Sequence, residues 1–268
     1  MLAAPGVAPL RTGSVISTIY GDAILPRGGA LALPDLLALM RRLGANDGVV
    51  RTAVSRLARD GVLEGRRAGR NSAYALTPAS WTEFLAAVPR IYGASPGGWD
   101  GRLHLAFPEP GDDRTALEAR GFALLAPGVL IGPGAAPSSV PTVEGRAEPG
   151  TARVLANRAW PLQATEARYR TFLEAFAGFD DVTASTPLDA MAARTAVIHA
   201  FRRAALRDPH LPPGLLPLEW MGFSARDLCR TLYERFAPEA ERWLDTASSG
   251  SGPLPRGPDP SLRFDAEA

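Results

Sequence analysis

The stretch NDGVVRTAVSRLARDGVLEGRRAGRNSAYALTP, from Asn46 to Pro78, decides how the N-terminal part of the chain folds. Val50, Val54 and Leu57 recur at helical spacing, so one helix face is apolar while Arg51, Thr52, Ser55, Arg56 and Arg59 fall elsewhere. Asn46 stands where an N-cap belongs, and Gly61 where a helix stops. Val62 to Arg66 and Ser72 to Leu76 then read as two short strands around a turn containing Gly69, with Arg66, Arg67, Arg70 and Asn71 at the tip. A helix followed by a basic hairpin is a helix with a wing.

Upstream, Val15, Ile16, Ile19, Tyr20 and Ala23 predict a first helix over Ser14 to Ile24, ended by Pro26 and the Gly28-Gly29 pair. After an extended piece at Ala30 and Leu31, Pro34 opens a second helix whose stripe Leu36, Leu37, Met40 and Leu43 ends at Gly44. Two short helices joined by a tight glycine turn form a helix-turn-helix pattern. Thr77 with Pro78 opens a further helix with an apolar seam at Trp81, Phe84, Leu85 and Val88.

Beyond a Gly/Pro/Ser linker at Gly93 to Gly98, Gly101 to Phe107 reads as a strand, Asp113 to Arg120 as a helix, and Phe122 to Ile131 as two strands around Pro127-Gly128. Pro133 to Pro149 reads as loop, Ala152 to Ala156 as a further strand, and no second helix is visible here. Helices follow at Leu162 to Phe179, Leu188 to Leu206 and Ser224 to Phe236, with Pro209, Pro212, Pro213 and Pro217 excluding helix between the last two. Residues 1–13 and 246–268, the latter rich in Ser, Gly and Pro, are expected to be disordered tails. The fold class is α+β, with a winged helix-turn-helix at 14–92, a small α+β unit at 99–158 and a helical domain at 160–245.

The single cysteine, Cys229, excludes an internal disulfide and the metal patterns that need several thiolates. No metal site and no cofactor is expected. No apolar run reaches bilayer length, and the first ten residues lack the basic start of a signal peptide, so a cytoplasmic location is expected with no membrane partner. All 29 basic residues are arginine. Through Tyr92 there are 11 of them against 6 acids, whereas the remainder has 18 against 22, so the head is basic and the body acidic.

A major groove admits one helix, and Arg51, Thr52, Ser55 and Arg59 lie where an outward face would reach base edges. Arginine reads guanine bidentately; the wing residues Arg66, Arg67, Arg70 and Asn71 suit the flanking backbone or minor groove. Arg56 equally fits an ion pair with Asp60 at i+4, and any one of these arginines read alone is a solvated face. Their joint placement on third helix and wing points to DNA.

These residues resemble the PaaX family, named for the repressor of bacterial phenylacetate catabolism. The resemblance is carried by Tyr20-Gly21-Asp22, the Arg27-Gly28-Gly29 turn, VVRTAVSRLARDG from Val49 to Gly61, GRNSAYALTP from Gly69 to Pro78, and RIYG from Arg90 to Gly93. WDGRLHL from Trp99 to Leu105, GFALLAPGVLIGP from Gly121 to Pro133, IHAFRRAALRDPHLPPGLLP from Ile198 to Pro217, Trp220, and LYERF from Leu232 to Phe236 complete it. It implies a winged-helix head, a ferredoxin-like central unit similar to the Cas2 fold, a helical C-terminal domain, a homodimer, operator DNA as partner, and release by phenylacetyl-CoA or a related acyl-CoA. Ala73 and Ala75 depart from the aromatic and basic residues usual in the wing, and Leu103 from a second Trp.

His199, Arg203 and Arg207 are spaced by four and share a helical face beside Arg202; such a face would hold the phosphates of a CoA, with Trp99 and Trp220 either lining an apolar pocket or, as buried tryptophans more often do, filling plain core. The competing reading is an internal ion-pair set, Arg207 with Asp208 or Glu219. An enzyme is not expected: His199 and Asp208 lie far apart along a helix, and there is no nucleophile elbow, HExxH, P-loop or GxGxxG. A nuclease would rest on the lone Asp100, a weak metal site. A DNA-binding scaffold without effector is the remaining rival.

Overall fold

A computed structural model describes residues 11–68, 71–94, 97–109, 114–179 and 183–264. The described residues are mixed α and β, with two small antiparallel sheets among them. It opens with α1 (Thr12–Ile19), which continues into a π-helical turn (Tyr20–Ile24) and a short 3-10 turn (Leu25–Arg27). Then come β1 (Ala30–Ala32), α2 (Leu33–Arg42) and α3 (Asp47–Arg59). The hairpin β2 (Leu63–Ala68) and β3 (Asn71–Leu76) follows, and α4 (Pro78–Tyr92) leads away from it.

In the first sheet β3 lies centrally, pairing with β2 through Arg66↔Ala73 and with β1 through Ala32↔Ala73. The extended piece foreseen at Ala30 is therefore a true strand, and it forms the open edge of the hairpin. The Gly28-Gly29 turn that feeds it tolerates no side chain: at Gly29, φ is +74° and a Cβ would sit 2.5 Å from the Trp81 ring. Gly44, at φ +87°, reverses the chain between α2 and α3.

The second sheet has the order β5-β6-β4-β7, built from β4 (Arg102–Ala106), β5 (Ala123–Ala126), β6 (Val129–Gly132) and β7 (Thr142–Arg146). Helix α5 (Arg114–Ala119) crosses between β4 and β5, and its Leu117 packs with Ala106, Phe122 and Leu130. Two expectations are corrected here. The segment Pro133 to Pro149 is not all loop, because β7 lies within it and pairs with β4. Every residue of β7 is exposed, so no apolar alternation marked it in the sequence. Ala152 to Ala156 is not a strand but part of α6 (Pro149–Ala159), in which Ala152 and Ala156 share one buried helical face and Val154 stands exposed.

Three long helices complete the chain: α7 (Leu162–Phe176), α8 (Pro187–Ala205) and α9 (Met221–Thr246). Helix α9 runs ten residues beyond the expected stop at Phe236, carrying Pro238 inside it. Helix α8 is buried on 13 of its 19 residues, as a helix surrounded on all sides must be. It packs against α9, α7, α1, α2 and α4. One apolar core consequently joins Val15, Ile19, Leu36, Met40, Val50 and Val54 of the head to Val197, Phe201, Leu232 and Phe236 of the helical part.

The tail after Thr246 is not disordered through Phe264. Ala247, Leu254 and Phe264 are buried, in a segment shaped by a tight loop that pairs Ser248 with Pro253 and by a 3-10 turn (Pro260–Phe264). At the other end Thr12 and Gly13, expected in a disordered tail, already belong to α1; residues 1–10 lie outside the described residues.

Candidate nucleic-acid interface

Helix α3 starts at an N-cap: the Asn46 side chain accepts from the Gly48 amide at 2.8 Å. Arg41, at the end of α2, donates Nε and Nη2 to the Asp47 carboxylate at 2.6 and 2.8 Å, so a bidentate pair ties the two helices across their turn. That pair holds the Asp47 carboxyl below its ordinary range, and the nearby Arg51 guanidinium adds to the effect. Val50 and Val54 point into the core beneath α1, at 0 and 1 % exposure. The opposite face carries Arg51, Thr52, Ser55, Arg56 and Arg59, all exposed.

Within that face Thr52 Oγ1 donates back to the Gly48 carbonyl at 2.9 Å. Arg56 and Arg59 both lean toward Asp60, with N···O distances of 3.8 and 3.6 Å, so the i+4 pairing foreseen for Arg56 is present but long and exposed. On the hairpin, Arg66 Nη2 lies 2.8 Å from Glu64 Oε1. Arg70 and the side chains of Arg67 and Asn71 lie outside the described residues. The polar face of α3 and the described part of β2 thus present arginines on adjacent elements, as the spacing in the sequence requires.

The five residues expected to hold an effector do not converge. His199 is buried and its Nδ1 lies 2.7 Å from Thr18 Oγ1 on α1. Burial, with Arg202 and Arg203 nearby, pushes its imidazole down to about 4, so the ring is neutral. Arg202 Nη2 donates to the Ser14 carbonyl at 2.9 Å, and its Nε is buried without a partner among the described residues. Arg203 and Arg207 are exposed, with Arg207 donating to the Arg203 carbonyl rather than to Asp208 or Glu219. Asp208 instead accepts from Tyr169 Oη at 2.7 Å. Trp220 is 3 % exposed and meets Tyr169 edge-on at 5.9 Å between centroids. The shared face is not formed because α8 ends at Ala205, so Arg207 lies in the turn beyond it, while His199 and Arg202 are turned toward Thr18 and Ser14 of α1.

The sequence reading missed the polar joint between head and helical part. Asp22, in the π-helical turn, accepts from Tyr92 Oη at 2.7 Å and from Arg194 Nε at 3.0 Å. Arg194 Nη1 reaches Glu241 at 2.6 Å, and Arg27 Nη2 reaches Glu241 at 2.5 Å and Asp245 at 2.8 Å. Burial and the Asp22 carboxylate keep the Tyr92 phenol well above its ordinary value, so it donates. Arg42 also pairs with Asp189 at the start of α8. The only signal in the sequence was a charged residue, Asp22, inside an apolar helix.

Among the described residues no three carboxylate, thiol or imidazole side chains group as a metal site, and no helix is long and apolar enough to cross a membrane. Comparison with known proteins gives the geometry its context. Residues 11–80 match the family described as PaaX-like protein, and residues 160–246 the one described as PaaX-like protein C-terminal domain. The Transcriptional repressor PaaX of Escherichia coli (strain K12) is 32% identical over 94% of this chain and 89% of its own length. A solved structure of an uncharacterized protein from Mycobacterium tuberculosis shares the fold with a TM-score of 0.53 at 21% identity, covering 87% of this chain and 98% of that one. The chain belongs to the PaaX-like family.

Proposed function

We propose that this protein is a transcriptional repressor that binds operator DNA through α3 and the β2–β3 wing, as a homodimer occupying two half-sites of an inverted repeat. The observation that carries the reading is α3 itself: Val50 and Val54 are buried behind it while Arg51, Thr52, Ser55, Arg56 and Arg59 are exposed on the outward face, where a groove would meet them. The helix-turn-helix reading of α2 and α3, with the hairpin as wing, fits this role. The order β5-β6-β4-β7 is compatible with the ferredoxin-like arrangement expected of the central unit, although its second helix, α6, follows the fourth strand.

Release by an aryl-CoA is the effector reading, supported by family membership. The seam between α1, α4 and α8 suits such control: Phe84, Val88, Ile91 and Tyr92 line a small apolar cavity of about 40 Å³ beside Arg202. An aromatic ring needs roughly 150 Å³. An acyl group entering there would have to part α4 from α1 and α8, so its affinity and the pose of the head would be coupled.

Footprinting on DNA upstream of the chain's own gene, with and without phenylacetyl-CoA, tests both statements. A protected inverted repeat that is lost on adding the thioester is the expected result. Binding of all sequences equally would overturn the operator reading, and protection unchanged by the thioester would leave a DNA-binding scaffold without that effector.

A further inference from the structure

The segment Ala247 to Phe264 leaves α9 and crosses to the head. Its first contact extends the open edge of the head sheet: the Ala32 amide of β1 donates to the Ser248 carbonyl at 2.8 Å, and the Ser248 amide donates to Asp35 at the start of α2 at 2.9 Å. A tight loop then brings Leu254 back to bond Ala247 at 3.0 Å, and Arg27 donates to the Pro255 carbonyl. At its far end Arg263 stacks on the Tyr92 ring, 4.4 Å from the centroid, and Nη2 reaches the carbonyls of Gly21 and Asp22 at 3.3 and 3.4 Å. Phe264 sits edge-on to Tyr92 of the head and to Tyr233 of α9, at 5.3 and 5.4 Å. Arg226 of α9 donates at once to the carbonyls of Phe264 and Tyr92, at 2.8 and 2.6 Å.

A tail that merely covered its own helix would bond to α9 alone. This one rises from α9 and takes hold of the head at the β1 edge, the turn around Arg27, and the end of α4. It also roofs the buried charges: Gly257, Pro258, Asp259, Pro260 and Arg263 line a cavity of about 20 Å³ over Asp22, Arg194 and Glu241, room for about one water. Keeping bulk solvent off those pairs strengthens each of them.

We propose that residues 247–264 form an intramolecular strap that fixes the pose of the head against the C-terminal helices, with Ser248, Arg263 and Phe264 as positioning residues. Through β1 and α4 it steadies both ends of the unit that carries α3; that consequence for DNA rests on the reading above, whereas the grip itself is testable without DNA.

The test is hydrogen exchange on three proteins: the full chain, the chain ended after Thr246, and full-length Phe264→Ala. Amides of residues 20–32 and 88–93 are expected to exchange roughly tenfold faster or more in both variants, while those of α7 keep their protection. A synthetic peptide of residues 247–264 should restore slow exchange to the shortened chain. If the shortened chain does not fold, Phe264→Ala decides alone. Unchanged exchange at 20–32 and 88–93 in a folded variant overturns the strap, and so does equal acceleration at α7, which would mean general loss of stability.

Discussion

Arg194 is 2 % exposed and lies between Asp22 and Glu241, with its guanidinium 4.5 Å from the centre of the Tyr233 ring. Breaking a buried pair leaves one charge uncompensated, so Arg194→Met should lower the unfolding free energy by about 3–5 kcal/mol in urea titrations. Adding Asp22→Asn to that variant should recover part of the loss, because the stranded charge is then removed. Arg51 differs in kind, since it is exposed and acts within the fold only as a distant charge on the exposed Asp47 carboxylate. Arg51→Ala is expected to leave stability unchanged and to remove about 1–3 kcal/mol of discrimination at one base pair, read by competition among single-base operator variants. Legibility follows the same division. The exposed position of Arg51 was visible because helical spacing sets it apart from Val50 and Val54, whereas Asp22 meets Arg194 across 172 residues and no local pattern records that.

Among the elements, α1, α2, α3 and α7 were legible because each buries one periodic apolar face, and α8, which is buried on most of its residues, because its apolar residues recur over several turns with no Pro or Gly to break them. The exposed edge strand β7 has no such face, and the alanine-rich α6 has side chains too small to separate helical from strand periodicity. The contact between α1 and α8 carries a pH dependence. His199 is held neutral at about 4 in the fold against 6.5 as its ordinary value, so between those limits the unfolded chain takes up the proton first. The contribution is complete above pH 6.5 and declines as pH falls from 6.5 toward 4. Denaturation midpoints measured across that window should fall with pH, and His199→Gln, which keeps a polar partner for Thr18, should flatten this part of the profile.

At the scale of the whole molecule, the basic head and acidic body foretell the sign of the DNA-facing end, and the salt dependence of operator binding measures it. A log–log slope of affinity against salt steeper than about −5 is expected, the release of roughly six counterions; a slope near zero would remove arginine–phosphate contact from the account. The order of head, small sheet and helices was readable along the chain, but their joining was not, because contacts between distant segments leave no periodic trace. The core that runs unbroken from α1 to α9 has a practical outcome for protein engineers. Residues 11–92 are a poor cassette for transplantation: excised, they would lose the packing of α1, α2 and α4 against α8 and strand Asp22, Arg27 and Arg42 without their opposite charges. Chimeras that exchange operator preference should therefore swap only the outward residues of α3 and the wing, and leave the backbone that bears them in its native company.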